Sequence, residues 1–394
     1  VSLLAAVAIG LVAIKPLGRT KLPSVLRPFA ALVALMALWA GLSALWSIVP
    51  ERSVLEAGRF ALISAMGIAV ASAALALDAD GRAATGRASL VGLVLGVVFV
   101  AVEGAGDFPI RRAVSHAAYP IAIAVLDRGS NVLALSCWLP ILYLLQTRRS
   151  LAAGVVFAIT LLVVSQLMSL TATLSLVAAA ATLALAWRRP RTTAMLVIFG
   201  LAALAAIMPF WAPTKDTVLW LSEEVPSLRS SAEHRLAIWR FASDRIIEKP
   251  VLGWGMDASR AIPGGHESAN SYMNLPADSD LTGEVMPLHP HNAILQLWLE
   301  LGAVGSLLGF GLAGWTAWCG GTGDQPKSRS VALAAIVAAS APLLLSFGIW
   351  QAWWQSALWL IASLMLAIRQ DPGPASHFSP SDRIIASNTA VPGR

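Results

Sequence analysis

The sequence predicts an all-α fold: a polytopic bundle of membrane-spanning helices with one large extracytoplasmic loop. Three observations carry this. Hydrophobic residues make up 57% of the 394-residue chain and charged residues only 13%, whereas soluble domains carry roughly 25% charged residues. The mean hydropathy is +0.70. Apolar runs of near-bilayer length recur along the chain without strand-like alternation, which argues for helical spans and against a barrel. An ordinary soluble domain and a disordered chain are both excluded.

A hydrocarbon core needs about 20 apolar residues per helix. The runs at 1–14, 29–49, 60–77, 88–102, 131–146, 151–168, 171–187, 194–211, 301–319, 331–349 and 354–368 meet or approach that length. Their connecting loops supply the orientation. Lys15, Arg19, Lys21 and Arg27 follow the first run, and Arg82 and Arg87 the third. Arg148 and Arg149 follow the fifth, Arg188, Arg189 and Arg191 the seventh, and Lys327 and Arg329 the ninth. Each basic loop lies two spans from the next, so all share one side, cytoplasmic by the positive-inside rule. The turns near 169–170 and 350–353 carry no lysine or arginine.

The chain then divides into N-terminal transmembrane helices over 1–211, a large loop over 212–300, C-terminal transmembrane helices over 301–368 and a disordered cytoplasmic tail over 369–394. Segment 103–130 is also extracytoplasmic, with 113–126 apolar enough to be re-entrant or interfacial. The N-terminus falls outside, and no signal-peptide cleavage pattern brackets the first run. An even span count with both ends inside is more usual, so the expectation is either that a helix precedes the first run or that this run is misplaced. The net charge of +6 resides mainly in short loops, and no zinc, RNA or DNA motif accompanies it, so no nucleic-acid partner is expected. Cys137 and Cys319 lie in or at the end of apolar runs and read as buried thiols. Gly305-x-x-x-Gly309 suits close helix packing.

Function should reside in the long loop. Residues 230–249 predict a helix, with Ser230 and Glu233 spaced as a capping box and Leu236, Trp239 and Ile246 as an apolar stripe. Pro250 ends it. Gly253-Trp254-Gly255 reads as a turn with a membrane-interface tryptophan, and the Gly-, Pro- and Asn-rich stretch 261–288 as a mobile lid. A new helix should begin at or after Pro290, which puts Asn292, Gln296 and Glu300 on one face. His291 then sits at a helix N-terminus, where the dipole disfavours an imidazolium and leaves a neutral base. By spacing alone, such a histidine is most often a solvated or capping residue. Arg128, Arg235, Arg240 and Arg245 are likewise most often interface or solvent partners. His289 and His291 stand too close in the chain to share a metal, and no carboxylate spacing supports a metal site. Trp350, Trp353 and Trp354 read as an aromatic belt.

The ordered series His234-Arg235-x-x-x-Trp239, Glu248-Lys249-Pro250-x-x-Gly253-Trp254-Gly255, His291-Asn292 and Glu300-Leu301-Gly302 resembles the O-antigen ligase and polymerase family. Arg128-Gly129 ahead of Trp138-Leu139-Pro140 is similar to a stretch that ligase-type members carry. The resemblance implies a bundle of about twelve spans in the bacterial inner membrane, with the large loop in the periplasm. It implies transfer of a glycan from undecaprenyl pyrophosphate to an acceptor hydroxyl, commonly on the lipid A core. The reaction would be metal-independent and inverting, with no cofactor. The resemblance assigns His291 as the base and Arg235 as a pyrophosphate ligand. Members often carry a second arginine after a serine at the outer end of a middle span. Here that turn reads Ser169-Leu170-Thr171 without one, and Arg128 or Arg240 would have to replace it, Arg128 being the choice for a second pyrophosphate ligand. A polymerase using the same donor is the nearest alternative. A lipid-linked glycan transporter is disfavoured, since the spans hold almost no charge; an inactive scaffold would suit the missing arginine.

Overall fold

The computed structural model describes residues 22–115, 123–167, 169–224, 229–276, 281–322 and 325–369. Among these residues the chain is all-α, and an isolated antiparallel bridge joins Ser268 to Glu284. Eight helices among the described residues are long and apolar enough to cross a membrane, so the protein is a multi-pass membrane protein. Backbone N–H and C=O groups in lipid must be satisfied within the segment, and helices do this.

The first three long helices are α1 (Arg27–Leu42), α2 (Pro50–Leu75) and α3 (Ala79–Ala105), followed by the short α4 (Pro109–Ser115). Pro50 opens α2 where a missing N–H costs nothing. Asp78 caps α3 by accepting from the Gly81 N–H at 2.8 Å. The next span is built from α5 (Asp127–Ser136) and α6 (Trp138–Gln146), which meet at Cys137. Then come α7 (Ser150–Gln166), α8 (Leu170–Arg188) and α9 (Pro190–Ile207). The loop carries α10 (Lys215–Glu224), α11 (Arg229–Glu248) and α12 (Ala269–Tyr272). The chain re-enters the bundle through α13 (Ala293–Gly321), α14 (Pro326–Leu345) and α15 (Ala352–Arg369). Helix α14 lies along α8, α15 along α2, and α9 along α13. Trp138, Leu142, Leu176 and Trp354 are buried at the centre of the bundle, while Leu62, Leu95 and Leu162 point outward and stay exposed, as lipid-facing side chains do.

Most apolar runs return as helices, with three differences. Run 1–14 lies outside the described residues, as do tail residues 370–394 and part of 113–126. Run 151–168 becomes α7, apolar but only 17 residues long. The ninth run starts eight residues earlier than expected, because α13 begins in the loop and continues across a break at Gly302 (φ 64°, ψ −163°). That break frees the carbonyls of Leu299 and Glu300, which accept N–H groups from Trp254 at 2.9 Å and Gly255 at 2.8 Å. Ala303 N–H returns a bond to Pro250 O at 2.9 Å. Glycine is required on both sides of this joint. A Cβ on Gly302 would stand 2.2 Å from Val251 O, and one on Gly253 (φ +71°) 2.5 Å from Glu300 O.

The loop has its own core, in which Ile238, Phe241, Ile246, Val285 and Met286 are buried together. Two expectations change here. Stretch 261–288, read as a mobile lid, is packed over its described part. Val285 N–H donates to Glu267 O at 2.8 Å, Met286 N–H to Gly265 O at 2.8 Å, and Ala269 N–H to Gly283 O at 2.9 Å. Its turn-rich composition masked a few apolar anchors, Ile262, Ala269 and Met273 among them. Residues 277–280 lie outside the described ones. Trp254, read as an interface residue, is buried, with its indole N–H on Arg245 O at 3.0 Å and the Lys249 ammonium 4.0 Å above its ring. Two of the three tryptophans read as a belt turn inward, while Trp353 stays half-buried. Trp354 is fully buried and Trp350 nearly so, because the turn that carries them caps the bundle instead of facing lipid. The expected capping box is not described, since the Ser230 side chain lies outside the described residues; Ser230 itself falls inside α11.

Candidate functional site

One end of the bundle gathers the starts of α5, α8, α13 and α15 with the end of α14. The contacts that tie these ends together are polar. Ser169, just before α8, donates to Asp127 Oδ1 at 2.5 Å, and Asn131 Nδ2 approaches the same carboxylate at 3.3 Å. Thr171 Oγ1 meets Ser346 Oγ at 2.9 Å. Asn292 caps α13, accepting from the Ile294 and Leu295 N–H groups at 3.0 and 3.1 Å, while its Nδ2 donates to Leu344 O at 3.1 Å. Asn292 thus stands just outside the helix; Gln296 and Glu300 do share a face, with Gln296 Nε2 donating to Glu300 Oε1 at 3.1 Å.

His291 precedes that cap with φ +54°, a left-handed conformation uncommon outside glycine. Its Nδ1 lies 2.6 Å from Ser346 O. A carbonyl only accepts, so Nδ1 carries the proton and Nε2 keeps its lone pair. The acceptor exists because the last carbonyls of a helix have no intrahelical partner. His291 N–H donates to His289 Nδ1 at 3.1 Å, and the two rings lie 4.3 Å apart. His289 Nε2 faces the Gln351 side-chain amide at 3.2 Å. Burial is the main cause that lowers the His291 pKa from its ordinary 6.5; the Ser346 carbonyl opposes it, and Arg235 and His234 add repulsion. Burial, with His291 and Arg260, pushes His289 down to about 3. A neutral His291 was expected from the helix dipole, but desolvation is the larger cause.

Arg235 lies on α11 and is half-buried. Its Nη1 donates to Ser231 O at 3.2 Å and Oγ at 2.6 Å, and its buried Nε has no acceptor. Burial lowers its pKa and the Asp127 charge raises it. Arg235 therefore senses both Asp127 and His291, and these three groups share one electrostatic neighbourhood. Two other loop arginines are committed elsewhere: Arg240 pairs with Asp244 at 2.9 Å and Arg245 with Glu248 at 2.5 Å.

Arg128 is exposed and lies 5.5 Å over the Trp353 ring, without an ion pair among the described residues. It stands on the wall of a groove of about 780 Å³, otherwise lined by apolar residues such as Phe99, Val102, Ile110 and Val132. Trp353 Nε1 donates to Gln351 Oε1 at 3.2 Å, so a chain of contacts runs from Arg128 to His289 and His291. Neither Arg235 nor His291 lines the groove itself.

Glu300 fastens the loop to the bundle. Its carboxylate accepts from Ser259 Oγ, from Asp257 N at 2.7 Å and from Trp350 Nε1 at 2.5 Å. Asp257 in turn pairs with Arg52 at 2.5 Å. Gln296 Oε1 accepts Ile349 N–H at 2.9 Å, which fixes the turn that follows Ser346. No group of three or more His, Cys, Asp or Glu residues is placed to hold a metal among the described residues. Both cysteines are free.

Sequence reasoning missed Ser346, Gln351, Asp127 and His289 as members of this cluster. Ser346 acts through its backbone, which leaves no side-chain signal; the others had none until the helix ends came together.

Comparison with known proteins gives the kind of protein the chain is similar to. The family model described as O-antigen ligase matches residues 153–310. A protein of Rickettsia conorii named "putative polysaccharide ligase" is 26% identical over 341 residues, covering 86% of this chain and 79% of that protein. One of Rickettsia bellii with the same description is 27% identical over 342 residues, covering 86% and 80%. No solved structure matches significantly. The resemblance read from the motifs is borne out: the chain is similar to O-antigen and polysaccharide ligases, and it is a multi-pass membrane protein.

Proposed function

We propose that the protein is a glycosyltransferase that moves a glycan from undecaprenyl pyrophosphate to an acceptor hydroxyl at the periplasmic face, with the lipid A core as the acceptor class. The observation that carries this reading is the His291 imidazole, pinned through Nδ1 to a backbone carbonyl, with a lone-pair nitrogen left over and an incompletely bonded arginine in its electrostatic field. A sugar hydroxyl is a poor nucleophile. Taking its proton as the new bond forms is worth typically ~10²–10⁴-fold. His291 Nε2 takes that proton, and Ser346 O stabilises the imidazolium that results.

The leaving pyrophosphate gathers negative charge as the glycosidic bond breaks. Arg235 offers a planar, permanently charged fork in a partly desolvated place, where such stabilisation is strongest. Arg128 meets the charge from the groove side, and the apolar groove suits a polyprenyl chain. Arginines in these roles supply what a metal would otherwise supply, which supports a metal-independent, inverting displacement. A polymerase would use the same base and arginines, and the acceptor distinguishes the two.

The test is transfer in vitro from a polyprenyl-pyrophosphate glycan to a lipid A-core acceptor, with chelator present. Wild type should form the product. His291→Ala should lose roughly 10²–10⁴-fold in kcat. Arg235→Lys should stay well below wild type, since an ammonium cannot reproduce the bidentate fork. Glycan lengthening without acceptor would replace ligation by polymerisation. Full activity in His291→Ala would overturn the mechanism.

A further inference from the structure

The opposite end of the bundle carries a second cationic feature that the proposed transfer chemistry does not use. Helix α8 ends at Arg188 and α9 begins at Pro190. The turn between them faces the start of α14, and Arg189, Pro190, Arg191, Thr192 and Arg329 line a recess of about 400 Å³. This volume is within the range of ~300–1,000 Å³ usual for small-molecule sites. The recess is fixed by close packing. A Cβ on Gly321 would lie 2.5 Å from Ala194 Cβ and 3.3 Å from Pro190 O, so the end of α13 presses directly on the start of α9.

Three guanidinium groups line this recess without a carboxylate. Arg189, Arg191 and Arg329 have no ion pair among the described residues, and Arg329 Nε is buried without an acceptor. The neighbouring cation behaves differently. Arg369 donates to Cys319 O at 2.8 Å and to Gly320 O at 3.1 Å, and so completes the end of α13. Like charges held together in a fixed recess repel one another, and an anion between them relieves the repulsion. Helix α8 has 19 residues, so at 1.5 Å per residue the recess lies about 28 Å from the His291 end. That separation is close to the hydrocarbon thickness of a bilayer, about 30 Å. The recess therefore sits at the level of the opposite headgroup layer, on the side where the basic-loop pattern puts the anionic inner leaflet.

We propose that this recess binds the phosphodiester headgroup of an anionic phospholipid. Arg189, Arg191 and Arg329 are its phosphate ligands. The bound lipid bridges the α8–α9 turn to the start of α14, and so clamps α8 and α14, whose other ends help build the candidate site. The shared chemistry is a phosphate oxygen met by guanidinium forks, and the lipid form is favoured because the recess opens at headgroup depth beside apolar helix surface.

The test uses the full chain, purified in a neutral detergent and delipidated. Phosphatidylglycerol, cardiolipin, phosphatidylcholine and inorganic phosphate are added in turn, and retained lipid is read by native mass spectrometry with Tm measured alongside. Both anionic lipids should be retained and should raise Tm, whereas phosphatidylcholine should do neither. The double variant R189Q/R191Q should bind the anionic lipids at least about tenfold more weakly. R148Q/R149Q, which removes two basic residues of the same face outside the recess, should bind as wild type does. Should the double variant fail to purify, Arg191→Gln alone carries the test, because that side chain is exposed. Equal retention of phosphatidylcholine, an equal loss in R148Q/R149Q, or the same Tm rise with matched inorganic phosphate would overturn the lipid assignment. The readout is binding, so the result stands apart from the transfer assay.

Discussion

His291 is oriented by a carbonyl and a second histidine, without a carboxylate in contact among the described residues, and this sets its pH behaviour. Its pKa is lowered from 6.5, chiefly by burial. In the proposed mechanism the neutral form is the base, so the acid limb of kcat/KM should fall below pH 6.5, and a titration placing it above 6.5 would contradict the burial argument. Stability should follow a related course. His289 is pushed from 6.5 to about 3. Below pH 6.5 the unfolded chain takes up a proton there that the folded chain refuses, so the folded state loses stability as pH falls from 6.5 towards about 3. His289→Gln should flatten that loss, as measured by Tm in detergent across the range. Arg235 became a candidate through a motif, but its burial and the Asp127 charge it senses had no sequence signal, because Asp127 lies more than a hundred residues earlier in the chain.

At the scale of elements, the joint at Gly302 decides how the loop meets the bundle. The apolar runs were readable in sequence because lipid forces long uninterrupted helices. The joint was not, since a glycine inside an apolar run looks like any small packing residue. Only a partner segment, 250–255, gives its positive φ a purpose. Gly302→Ala should cost about 1–3 kcal/mol through strain and collision with Val251, lowering Tm and, with it, transfer activity. Gly309→Ala is a useful comparison, because the nearest atom there is Leu297 Cδ1 at 2.5 Å, the end of a flexible side chain. An equal Tm for Gly302→Ala and wild type would show that the joint bends freely. The 261–288 stretch teaches the complementary lesson. Composition averaged over a segment hides a few well-placed apolar anchors, and these decide whether a turn-rich chain packs.

For the whole molecule, the groove carrying Arg128 and the site carrying His291 lie on the same end of the bundle but on different walls. If the polyprenyl tail occupies the groove, transfer should depend on tail length. Val132→Gln should raise KM for a long-tailed donor by roughly tenfold, since an unpaired amide against hydrocarbon costs about 1–3 kcal/mol. The KM for a donor with a one-isoprenoid tail should stay as in wild type. Equal effects on both donors would remove the tail from the groove. The bundle itself was legible from hydropathy and charge, which are summed over many residues. The site was legible only where a side chain bears the chemistry.

Ser346 lends His291 a main-chain oxygen. Every residue type possesses that oxygen, so no point substitution can delete it, and this task of position 346 is independent of the hydroxyl that meets Thr171. An inventory of invariant side chains would therefore count one working part too few. The constraint sits on where α14 stops: under the proposed mechanism, a single-residue insertion or deletion near Leu345 would rotate the carbonyl away from the imidazole and silence the base with every side chain of the site still present.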